Sequence, residues 1–122
     1  MLFKQLFDKN SSTYTYLVAS AVGREALIID PVLENVEIYI KLLNELNLKL
    51  VKVIDTHIHA DHITGASKLK DQTKCITIMG DHTPADTVEI KVKDEEIIKL
   101  DQLKIKALHT PGHTSDSFSF LM

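Results

Sequence analysis

The chain has 122 residues, the size of one small domain. Hydrophobic residues make up 44% and charged residues 25%, ordinary globular usage that excludes disordered and collagen-like classes. Fourteen Lys and Arg stand against seventeen Asp and Glu, a net charge of −3 with the cations scattered, so composition gives no case for a nucleic-acid or anionic-membrane partner.

A single cysteine, Cys75, cannot form an internal disulfide or a cysteine-based zinc site, and its apolar neighbours place it in the core. The opening Met1–Asp8 lacks the apolar segment of about 7–15 residues that a secretory signal needs. No apolar run approaches the roughly 20 residues of a membrane span. One thiol and no export signal predict a reducing cytoplasm. The unusual count is six histidines, three of them between His57 and His62.

Tyr14, Tyr16 and Val18 alternate with Thr13, Thr15 and Leu17, which predicts a strand. Gly23-Arg24 turns it into a second strand, Glu25–Asp30, ended by Pro31, so the pair reads as an antiparallel hairpin. Asp30 stands at that strand's end, where a carboxylate can hydrogen-bond and support a neighbouring loop. Helical spacing of Val36, Tyr39, Ile40, Leu43 and Leu46 predicts a helix over Asn35–Leu46 with a core-facing stripe. Leu48–Ile54 is a buried strand. A second helix is expected over Ile63–Gln72, weakened in its first turn by Gly65. Cys75–Met79 is a short strand, Asp81–Asp86 a loop, and Glu96–Leu100 with Leu103–Leu108 a hairpin about Asp101-Gln102. Ser117–Leu121 is a last strand. This order predicts an α/β or α+β fold with helices covering a sheet.

The chemistry is concentrated after the Leu48–Ile54 strand. In an extended stretch residues two apart share a side, so His57, His59 and Asp61 can converge while His62 opens the next helix. Imidazole nitrogen and carboxylate oxygen suit zinc, iron and manganese. A lone histidine is ordinarily a surface residue, but packing gives no reason for three histidines and an aspartate directly after an apolar strand. His113 follows the Leu103–Leu108 strand in a Pro-Gly turn, where Gly112 permits a close backbone approach. About fifty residues after the first cluster, it reads as a further ligand. His109 reads as a supporting residue and His82 as a surface one.

Thr56-His57-Ile58-His59-Ala60-Asp61-His62 joined to Thr110-Pro111-Gly112-His113-Thr114 resembles the metallo-β-lactamase superfamily, the first stretch being its His-x-His-x-Asp-His signature. Ile29-Asp30-Pro31-Val32-Leu33-Glu34 and the run Ala60-Asp61-His62-Ile63-Thr64-Gly65 are similar to its persulfide dioxygenase branch. So are the opening Phe3–Phe7 and Thr13–Leu17. The resemblance implies an αββα sandwich with the metal at one edge of the sheets, here incomplete at its C-terminal end within a single domain, 1–122. It further implies one Fe(II) per chain held by His57, His113 and an aspartate that nothing after Thr114 matches. Asp116 stands in a different local context. His59, Asp61 and His62 would then orient the ligands or bind a second metal. The reaction implied is oxidation of glutathione persulfide by O₂ to sulfite and glutathione, with this small molecule as the partner.

Two alternatives stay open. One is a glyoxalase II-like thioesterase with two Zn(II), in which His57, His59 and His113 hold one zinc and Asp61 and His62 the second. The other is an inactive metal-binding fragment, or a half-domain that forms a homodimer through an unpaired strand edge. The natural gene product is expected to be longer.

Overall fold

Apolar residues of strands between Leu2 and Val92 build a sheet with two buried faces. The computed structural model describes residues 1–56, 65–81, 88–110 and 118–121. Among these, the elements run β1 (Leu2–Asp8), β2 (Thr13–Ala19), β3 (Glu25–Ile29), α1 (Val36–Glu45), β4 (Lys49–Ile54), α2 (Ala66–Thr73), β5 (Ile76–Gly80), β6 (Ile90–Val92), β7 (Ile97–Leu100), β8 (Leu103–His109) and β9 (Phe118–Leu121). A short 3₁₀ turn, Leu33–Asn35, leads into α1.

The first six strands form one sheet in sequential order, β1 to β3 antiparallel and β3 to β6 parallel. The last three form a second, antiparallel sheet. Period-two alternation divides the first sheet cleanly. Leu17, Ala19, Ala26 and Ile28 face one core with Val36, Tyr39 and Leu43 of α1 and Leu69 of α2. Val18, Leu27 and Ile29 face another, with Ile98, Leu100, Ile105 and Ala107 of the second sheet. The layers are therefore helices, six-stranded sheet, three-stranded sheet.

A register shift between β3 and β4 corrects the alternation at one point. Ala26 pairs with Leu50 but Leu27 with Lys52, so Val51 is the extra residue. Without that bulge Leu50 and Val53 could not face the same helix-side core, which they do. The insertion lets both ends of a long strand bury their apolar residues.

The expected hairpins, the α1 helix and the strands over β4, β5 and β9 form as the patterns predict. Two strands add to them. β1 pairs along its whole length with β2, placing Phe3 and Phe7 beside Tyr16 and Tyr14 at ring separations of 5.5 and 4.7 Å. β6 has three residues, too few to show a period. Gly65 stands at the N-cap of α2 instead of within its first turn. No helix among the described residues is long and apolar enough to cross a membrane.

Candidate functional site

The C-terminal ends of parallel strands are where α/β sheets place their ligands. Here β3 ends at Ile29, β4 at Ile54 and β5 at Gly80, and the residues just beyond are bonded together. Asp30 donates its N–H to the Ile54 carbonyl (2.7 Å), and Asp55 donates to the Ile78 carbonyl (3.1 Å). The second sheet joins the same edge through Phe118, whose N–H donates to the Thr56 carbonyl at 2.8 Å.

Asp30 is the anchor. Its Oδ1 accepts from the Thr56 N–H and its Oδ2 from the Thr56 hydroxyl, each at 2.8 Å. Pro31, the next residue, accepts from the Gly65 N–H at 2.9 Å. One dipeptide thus fixes both residues that flank segment 57–64. Asp30 reaches this position with φ at +55°, a left-handed conformation that Asp tolerates better than most side chains.

Behind it lies a buried polar chain. Thr15 Oγ1 donates to the Asp30 carbonyl at 2.7 Å and stands 3.1 Å from the Tyr39 hydroxyl, which accepts from the Val32 N–H at 3.0 Å. Since the Thr15 proton is committed to Asp30, the Tyr39 proton points to Thr15. The chain locks the Asp30–Val32 turn from below.

The other two segments near this edge are also held at their flanks. Asp81 donates to the Val92 carbonyl at 2.7 Å. Glu89 donates its N–H to Thr77 Oγ1 (3.1 Å), while its carboxylate accepts from the Thr77 N–H (3.3 Å). The Lys70 ammonium at 3.2 Å, followed by the Thr77 N–H, holds the Glu89 carboxyl below the usual carboxylate range. At the third segment Thr110 Oγ1 and Ser119 Oγ lie 2.8 Å apart across the β8–β9 ladder.

His57, His59, Asp61 and His62, together with His82, His113 and Asp116, lie outside the described residues. What the structure settles is where their flanking residues stand: Thr56 immediately precedes His57 and is bonded to Phe118, which ends the segment carrying His113. Among the described residues no group of three or more His, Cys, Asp or Glu is arranged to hold a metal. His109 packs at the same edge. Its ring lies 5.2 Å from that of Phe118, and its N–H donates to Asp94 Oδ1 at 2.8 Å. Cys75 is in the core, 2% exposed, and burial pushes its thiol pKa up.

Sequence reasoning singled out Asp30 and its supporting role, but not Thr56 as the residue it holds, nor the Pro31–Gly65 and Thr56–Phe118 bonds. Backbone amide partners leave no trace in side-chain identity. The small hydroxyl of Thr56 directly before the first histidine is the one available signal.

The profile of the metallo-beta-lactamase superfamily matches residues 9–122. The chain belongs to that superfamily. Among curated relatives, the mitochondrial persulfide dioxygenase ETHE1 of Bos taurus is 34% identical over 123 residues, covering 100% of this chain and 48% of its own length. A probable hydroxyacylglutathione hydrolase of Schizosaccharomyces pombe is 37% identical over 109 residues, 88% of this chain and 42% of its own. Among solved structures, ETHE1 from Myxococcus xanthus superposes with a TM-score of 0.94 at 43% identity, over 99% of this chain and 53% of that one. This member of the superfamily spans about half the length of the curated relatives it matches. Its sheets and helices correspond to the N-terminal part of those proteins.

Proposed function

We propose that this chain carries the N-terminal share of a persulfide dioxygenase site, within a single domain 1–122 that a longer chain would complete. The observation that carries the proposal is the bond between Thr56 and Phe118. It joins the residue just before the His57–His62 segment to the residue just after the segment that carries His113, at the sheet edge. Two relatives support the branch: a persulfide dioxygenase matched along the whole chain, and the TM-score of 0.94 to a second ETHE1.

The donor set fits a metal. His57 and His113 would hold a single Fe(II), each as neutral imidazole, with a carboxylate ligand from outside the matched positions. Bound there, iron(II) would supply the electrons that activate O₂ beside a soft sulfur ligand. The overall reaction balances as glutathione persulfide, O₂ and water giving glutathione, sulfite and two protons. Asp30 and Thr56 hold the backbone that presents His57. His59, Asp61 and His62 would hydrogen-bond and orient the ligands or the water in the site. A reducing compartment such as the cytoplasm suits this thiol chemistry.

The hydroxyacylglutathione hydrolase relatives favour a second reading, a thioesterase with two Zn(II). Elemental analysis of the longest native form of the protein, purified without oxygen or added metal, separates the two. Iron near one per chain, with oxygen uptake on glutathione persulfide, is the expected result. Zinc near two per chain with thioester hydrolysis would replace it.

A further inference from the structure

Phe118 is 2% exposed and is the first described residue after the His113 segment. Its amide donates to Thr56, and its ring enters a recess in the other sheet that exists because residue 80 is glycine. A Cβ built on Gly80 would fall among Cδ1, Cε1 and Cγ of the Phe118 ring. His109 closes the recess from β8, its ring 5.2 Å from that of Phe118. One residue therefore touches the ends of β4, β5 and β8 at once. An aromatic ring in a fitted recess has little freedom to slide, because packed interiors leave no slack of methylene size.

We infer that Phe118, seated on Gly80, is a positioning residue that fixes the separation between the His57 and His113 segments. The inference rests on the metal-site reading above and adds a determinant that the histidine motifs do not contain. Leucine at 118 would keep the amide bond to Thr56 and an apolar side chain, but would not fill the recess. Alanine at 80 would expel the ring. In either case the core would persist while the joint between the two segments loosens.

The test is titration of the metal-free longer chain, which supplies the carboxylate ligand, with Co(II), whose visible absorption reports ligand geometry, alongside a thermal melt. The variants are Phe118→Leu, Gly80→Ala and the double variant Gly80→Ala with Phe118→Val. Ile105→Val, in the same inter-sheet core but away from the edge, serves as the control. The expected result is Co(II) binding at least tenfold weaker in Phe118→Leu and Gly80→Ala, with shifted absorption bands. Partial recovery is expected in the double variant, and wild-type binding in Ile105→Val. If wild type binds Co(II) and Phe118→Leu binds it equally well with the same bands, the positioning role falls and the metal site stands. Equal weakening in Ile105→Val overturns it too, as a general loss of packing. Absence of Co(II) binding by wild type overturns the metal-site reading itself and this inference with it.

Discussion

The Asp30 carboxylate grips Thr56 through both oxygens, one on the backbone N–H and one on the hydroxyl, each at 2.8 Å. This two-point hold joins the end of β3 to the residue that leads out of β4. Two bonds to different atoms of one residue fix its orientation as well as its position.

Replacing Asp30 tests that hold. Asp30→Ala removes two hydrogen bonds to a charged acceptor and places a β-carbon with no compensating contact at φ +55°. A loss of about 2–4 kcal/mol in urea unfolding is expected: hydrogen bonds to charged groups contribute about 1.5–3 kcal/mol each, and these two are only partly buried, which reduces their sum. Asp30→Asn tolerates the backbone but turns an NH₂ toward one of the two donors, so its loss should fall between alanine and wild type. A loss below about 0.5 kcal/mol for Asp30→Ala, the scale of ordinary surface substitutions, would show that the clamp contributes nothing.

The residue at the far flank of the same segment makes a sharper case. Gly65 has φ −83°, which alanine adopts freely, so entropy alone would make Gly65→Ala stabilising by about 0.4–1 kcal/mol. A Cβ there would stand 2.8 Å from Val36 Cγ2 and 3.2 Å from the Val32 carbonyl oxygen. Val36 is fully buried and cannot step aside, and overpacking costs about 1–3 kcal/mol, so the clash wins. The expected outcome is a lower thermal midpoint for Gly65→Ala. A rise would mean that the α1–α2 contact yields more readily than close packing allows.

Much of this architecture was legible in side-chain pattern, and the limits have physical causes. Tyr16 and Val18 against Leu17 and Ala19 announce a two-faced strand because each faces a different core. β1 was silent because it lies at the sheet edge, where Leu2 and Leu6 are only half-buried against the core and Phe3 and Phe7 on the other face remain 44% and 51% exposed, so apolar residues stand on both faces. The Val51 bulge is a property of the pairing with β3, not of β4 alone. At the site, Asp30 was readable from its place at a strand end before Pro31. The recess at Gly80 depends on a ring thirty-eight residues away and could not be read locally.

At the end of the sheets away from Thr56, Asp101 ties the β7–β8 turn to the β2–β3 hairpin. Its Oδ2 accepts from Ser20 Oγ at 3.0 Å and from the Glu25 N–H at 3.2 Å, with the Arg24 guanidinium 3.6 Å from Oδ1. Partial burial opposes ionisation, but these donors and the Arg24 charge outweigh it and hold the carboxyl below its ordinary value. A pKa lower in the folded chain than in the unfolded one stabilises the fold above the unfolded pKa, about 4, and this contribution disappears as pH falls through the folded pKa. Asp101→Asn should therefore melt below wild type near pH 6, with the two curves converging toward pH 2–3. A constant gap over that range would assign the effect to shape instead of charge.

The buried chain behind Asp30 gives the last prediction. Proton order runs from the Val32 N–H to the Tyr39 oxygen, from the Tyr39 hydroxyl to Thr15, and from Thr15 to the Asp30 carbonyl. Tyr39 is 3% exposed and Thr15 1%, so water cannot readily replace a missing partner. Tyr39→Phe preserves the ring packing but withdraws an acceptor from Val32 and a donor from Thr15. A loss of about 1–3 kcal/mol is expected, the cost of leaving buried polar groups without their partners. Thr15→Val withdraws the matching groups from the other side at nearly constant volume. Because both substitutions break the same Thr15–Tyr39 bond, the double variant should lose less than the sum of the two single losses. A coupling of about 0.5 kcal/mol or more in urea unfolding would establish the chain as one unit. Strict additivity would mean that Thr15 and Tyr39 support the Asp30 turn independently.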